Sequence, residues 1–107
     1  MFTAAGDNGY ADALSGIRRK TLSYGDATLM TEFRLRCGAV LPVHDHPHEQ
    51  TGYLVAGRLR LTIDDKTCDV EPGGSWSILG GVPHGAVALA DTIAIEVFSP
   101  VREDYLP

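Results

Sequence analysis

Gly38-Ala-Val-Leu-Pro-Val-His44-Asp-His46-Pro-His48-Glu-Gln50, followed after six intervening residues by Gly57, is the stretch on which the reading of this chain turns. It holds three of the four histidines; the fourth, His84, stands behind Pro83. Two histidines at i and i+2, a further donor four residues on and a distant histidine form a metal-site pattern. Imidazole serves Zn, Ni, Cu and Fe alike. In an extended chain, alternate side chains share a face, which groups His44, His46, His48 and Gln50 and leaves Asp45 and Glu49 opposite. Pro47 bends the run, so not all four donors need converge. The competing reading is a solvated loop that happens to be rich in histidine.

On either side of this stretch the dominant period is two. Leu29, Thr31, Phe33 and Leu35 alternate with Glu32, Arg34 and Arg36, and Leu59, Leu61 and Ile63 with Arg58, Arg60 and Thr62. Turn signals recur at short intervals: Tyr24-Gly25-Asp26, Gly57, Asp64-Asp65-Lys66, Pro72-Gly73-Gly74, Gly80-Gly81-Val82-Pro83 and Ala90-Asp91. Many short strands between tight turns predict an all-β fold, one small barrel of two packed antiparallel sheets. The expected division is an N-terminal arm over residues 1–16, with an arm or a short helical turn at Tyr10 to Leu14, and a barrel over 17–107. The tail should leave the sheet at Pro100, which has no ladder donor.

A chain of 107 residues is one domain by length and can bury one core. Its 44% apolar content excludes disorder as the default. A net charge of -5, with no basic run longer than Arg18-Arg19-Lys20, argues against nucleic acid as a partner. The apolar runs fall far short of the roughly 20 residues that span a bilayer, so no membrane partner is expected. The first ten residues lack the apolar core of a secretory signal, and the expected location is cytoplasmic. Cys37 and Cys68, outside any paired motif, read as reduced thiols on small buried side chains.

The last apolar stretch runs Thr92-Ile-Ala-Ile-Glu96-Val-Phe98-Ser-Pro-Val-Arg102-Glu-Asp-Tyr105. Ile93, Ile95 and Val97 share one face, and Ala94, Glu96 and Phe98 the other. A carboxylate inside an apolar strand is costly unless paired, so Glu96 is either exposed on the outer face or functional. Arg102 either forms a surface ion pair or folds over the barrel mouth, where its fork suits a carboxylate. Neither face of this strand is wholly polar, and an open sheet edge needs cover, so a homodimer is expected.

The histidine stretch resembles the first motif of the cupin superfamily: Gly, five residues, His-x-His, three or four residues, Glu, six residues, Gly. Gly38, His44, His46 and Gly57 match it, and Gln50 stands where many cupins have Glu. Gly73, Gly81 and His84 fit the second motif, with Leu79 in place of its Pro and Ala88 in place of its Asn. The resemblance implies a jelly-roll barrel holding one divalent ion (Ni, Zn, Fe or Mn) on His44, His46, Gln50 and His84. His48 matches no ligand position and reads as a rim residue, either touching substrate or exposed to solvent. A neutral ligand set leaves the full dipositive charge on the ion, which favours Lewis-acid chemistry on a bound anion.

His-x-His-Pro-His-Glu-Gln followed by Glu-Val-Phe-Ser-Pro-x-Arg-Glu-Asp-Tyr is similar, more closely, to the small single-domain cupins of the KdgF type. Those open the ring of unsaturated uronates released from pectin and alginate. The resemblance implies Arg102 as an anion clamp, Glu96 as general acid/base where the family typically has Asp, and Phe98 as an apolar wall for the sugar. The implied partner is a small anionic substrate. An iron-dependent dioxygenase and a non-catalytic small-molecule-binding cupin remain the alternative readings of the same ligand pattern.

Overall fold

Alternation of the Leu29–Leu35 kind buries every second side chain, and the computed structural model, which describes residues 1–107, does this along ten strands. They are β1 (Tyr10–Leu14), β2 (Ile17–Tyr24), β3 (Leu29–Leu35), β4 (Val40–His44), β5 (Glu49–Ala56), β6 (Leu59–Ile63), β7 (Lys66–Val70), β8 (Ser75–Ile78), β9 (His84–Ala88) and β10 (Thr92–Ser99). Helix is confined to one 3-10 turn, Glu103–Tyr105. One antiparallel sheet has the order β1-β2-β3-β10-β5-β8 and the other β4-β9-β6-β7. The last strand thus lies mid-sheet, between β3 and β5, a non-local pairing typical of a double-sheet jelly roll. Ile17, Leu35, Leu54, Leu59 and Leu61 pack into one core cluster, and Leu29, Ile78 and Phe98 are buried as well. Gly57 turns β5 into β6 at φ 89°, and a Cβ there would collide with the Asp91 carbonyl and Thr92.

Three expectations are refined. Tyr10 to Leu14 forms an edge strand paired to β2 rather than a helical turn. Its anchor is Tyr10, with the Arg18 and Arg34 guanidiniums 4.8 and 5.1 Å from its ring centroid. Cys37 and Cys68 are free thiols but exposed rather than buried: Cys37 follows β3 in a loop, and Cys68 lies on β7 at a sheet edge. Along β10, Thr92, Ala94, Glu96 and Phe98 point inward and Ile93, Ile95 and Val97 outward, so the bulkier aliphatic set faces out. No helix is long and apolar enough to cross a membrane.

Candidate metal centre and substrate pocket

The donors meet because of strand register. β4 and β9 are antiparallel neighbours with His44 opposite His84, and their ring centroids lie 4.3 Å apart. After His44 the chain crosses from the four-stranded to the six-stranded sheet through residues 45–48, so His46 projects between the two. Gly81 N–H donates to the His46 carbonyl at 2.8 Å and ties this crossing to the 79–83 loop. One ligand atom each from His44, His46 and His84 lies within 4.8 Å of the others.

The tautomers are settled by backbone. Each Nδ1 is 2.9 Å from a carbonyl oxygen: Pro42 for His44, His48 for His46, Val82 for His84. A carbonyl only accepts, so each Nδ1 carries the proton and each Nε2 keeps its lone pair. The His46 Nε2 and the Gln50 Oε1 are both buried with no hydrogen-bond partner. Buried acceptors without donors are costly. Three imidazole lone pairs and an amide oxygen are what a divalent ion takes, so the residues present fit one. Burial holds the His46 pKa low, with the positive charge of Arg102 adding to the effect, and burial likewise lowers that of His84. Both rings are therefore neutral and able to ligate at neutral pH. His48 stands outside this group; its ring packs edge-on against His46 at 5.6 Å.

Glu96 takes the inner of the two positions left open to it and is 9% exposed. Its carboxylate is held on both oxygens: Trp76 Nε1–H donates to Oε1 at 2.6 Å, and the Gln50 amide Nε2–H donates to Oε2. Glu96, Gly52 and Trp76 occupy one register row across β10, β5 and β8. A Cβ on Gly52 would overlap the indole, so glycine is what lets Trp76 lie across β5 to reach the carboxylate. Burial pushes the Glu96 pKa up to about 7, against the Trp76 hydrogen bond and the charge of Arg102, which pull it down. That value suits proton exchange at neutral pH. Glu96, Gln50, Trp76 and His84 line a small pocket of about 50 Å³ together with apolar core side chains.

Beyond β10 the chain folds back. The Arg102 side chain is 14% exposed, its Nε and Nη2 paired with Asp104 at 3.0 and 2.7 Å. Its guanidinium lies 5.1 Å from the Phe98 ring centroid and 4.2 Å from that of Tyr105. Phe98, 1% exposed, offers no open face: the His46, Tyr105 and Arg102 side chains pack against it, so it serves as the floor of the site. Arg19, on β2, places a second guanidinium 4.3 Å from the Tyr105 ring.

Trp76, Asp104, Tyr105 and Arg19 escaped the sequence reading. Gly52 inside a strand pattern was the available signal for Trp76, because an interior glycine marks a close approach. Asp104 and Tyr105 meet Arg102 from two and three residues along the tail, where the short spacing was the available signal, whereas Arg19 reaches Tyr105 from a distant strand and has no local signal.

The comparisons agree with this geometry. The Cupin domain model matches residues 31–99. The pectin degradation protein KdgF of Dickeya dadantii is 30% identical over 93 residues, which cover 85% of this chain and 84% of the relative. The structure of KdgF from Halomonas sp. superimposes with a TM-score of 0.94 at 30% identity, covering 99% of this chain and 98% of that one. An RmlC-like cupin from Shewanella frigidimarina gives a TM-score of 0.93 at 30% identity, over 98% and 95% of the two chains. The chain belongs to the cupin family and, within it, to the group of small cupins that includes the KdgF pectin degradation protein.

Proposed function

We propose that this protein is a metal-dependent enzyme that opens the ring of unsaturated uronates, the breakdown products of pectin and alginate, to linear keto sugars. The observation that carries the reading is the histidine group beside Gln50, which is bonded to Glu96, with Arg102 near enough for its charge to act on both His46 and Glu96, in a chain similar along most of its length to a pectin degradation protein. A bound divalent ion would supply Lewis acidity to a sugar oxygen. Asp104 occupies one edge of the Arg102 fork, and the remaining N–H groups are free to grip the sugar carboxylate. Glu96 accepts the proton of the anomeric hydroxyl as the bond from the anomeric carbon to the ring oxygen breaks, and returns a proton to the ring oxygen. The enol so released becomes the keto form, with no net oxidation. His48, on the rim, is placed in this reading to touch the substrate.

We also propose a homodimer through the outer face of the six-stranded sheet. Ile93, Ile95 and Val97 lie half-buried there, with exposed Met30 and Tyr53 on the neighbouring strands. Light scattering at micromolar concentration should show twice the chain mass; a monomer contradicts it. The activity is tested by following the ultraviolet absorbance of unsaturated galacturonate and guluronate with an oxygen electrode in the same cell. Loss of absorbance without oxygen uptake supports ring opening, and oxygen uptake favours a dioxygenase.

A further inference from the structure

An amide ligand has a problem that a carboxylate ligand lacks. Glutamate presents an acceptor whichever way it rotates, whereas glutamine has one end that can ligate and one that cannot. Gln50 is 4% exposed, so water cannot decide which end faces the histidines. The two ends of its amide have different surroundings here. Nε2 donates to Glu96, and Oε1 is buried without any partner. Glu96 is in turn pinned through its other oxygen by Trp76 at 2.6 Å. With both of its oxygens accepting, one from Trp76 and one from Gln50, the Glu96 carboxylate holds the NH2 end of the amide.

We propose that Glu96 and Trp76 are positioning residues for the fourth ligand. The carboxylate, braced by the indole, captures the amide NH2 of Gln50 and commits Oε1 to the ion. The arrangement requires Gly52, since any side chain there would displace the indole from the carboxylate. This rests on the metal-centre reading of the site but not on the substrate assigned to it.

The test is a titration of metal-free protein with Ni²⁺ alone, without sugar, followed by calorimetry. The emission of Trp76, the single tryptophan of the chain, gives a second readout in every variant that keeps it. Partners of a metal ligand typically contribute about 10- to 100-fold in affinity. Glu96→Gln replaces a pure acceptor by a group that can offer Gln50 either end, and Ni²⁺ affinity should fall by that factor. Trp76→Phe removes only the brace and should cost less, roughly 3- to 10-fold, as befits one hydrogen bond. The diagnostic variant is Glu96→Gln combined with Gln50→Glu. A carboxylate ligand needs no orienting, so this double variant should regain Ni²⁺ affinity, which a general loss of packing would not allow. Circular dichroism checks that each variant is folded, and Trp76→Phe keeps the proposal testable should Glu96→Gln fail to fold. Parent-like affinity in both Glu96→Gln and Trp76→Phe, or no recovery in the double variant, overturns the proposal. Failure of the uronate assay would leave this result untouched, because no sugar enters the titration.

Discussion

The two walls of the pocket are built by different means. On the ligand wall, three histidines are each oriented by a backbone carbonyl at 2.9 Å, and Gln50 sits in a strand paired on both sides. On the second wall, Arg102 lies beyond the last strand, and its guanidinium is placed by side chains: Asp104, Phe98 and Tyr105. Backbone pairing fixes a site before any ligand arrives, whereas a side-chain cluster on a tail can adjust to what it grips. The first suits an ion with strict geometric demands and the second a flexible sugar carboxylate. Damage to the first wall should therefore appear in metal content, and damage to the second in substrate affinity.

The sharpest break in that contrast should come from His46→Ala. Even a partner of a ligand is worth roughly 10- to 100-fold in metal affinity, so losing a ligand should weaken binding by more than about 100-fold. Elemental analysis should find the variant stripped, while His48→Ala keeps its metal. Should His48→Ala empty the site instead, the ligand register is wrong. Arg102→Ala should leave metal content unchanged and raise the KM for a uronate by about 10- to 100-fold, the scale of a lost charge-assisted hydrogen bond. Gly52→Ala drives a methyl group into Trp76 and should cost about 1–3 kcal/mol as overpacking. Its melting temperature should fall by several degrees, with a changed indole emission. The smallest effect belongs to Tyr105→Leu. It removes one cation–π partner of Arg102 but leaves Asp104, so KM should rise only about 3- to 10-fold with metal binding intact. A loss of metal in Tyr105→Leu would mean that the two walls are not separate.

The ligand wall was also the more legible one. His-x-His with Gln50 at fixed spacing is a local pattern, and alternation with turn punctuation was enough for a two-sheet barrel. The parts that brace the ligands and the arginine are written in pairings that alternation does not reveal. Glu96 could not be assigned to a face from its strand, because the outward set, Ile93, Ile95 and Val97, is uniformly aliphatic while the inward set, Thr92, Ala94, Glu96 and Phe98, is mixed. What holds Glu96 inside is Trp76 on another strand, admitted by the absence of a side chain at Gly52. Phe98 was expected to face the sugar, but Arg102, His46 and Tyr105 cover it. The cysteines were read as buried on residue-type statistics, which say nothing of the loop and edge strand that expose them. The Tyr10–Leu14 strand lacks alternation of its own; its pairing with β2 and the cations around Tyr10 hold it.

The most direct measurement is the rate at which the protein removes the ultraviolet absorbance of unsaturated galacturonate, taken after chelation and again after restoring one divalent ion per chain. The expected result is an inert chelated protein whose activity returns with the ion and saturates at one equivalent. Protein carrying its full complement of metal yet inert on unsaturated uronates, or equally active with and without the ion, would contradict it.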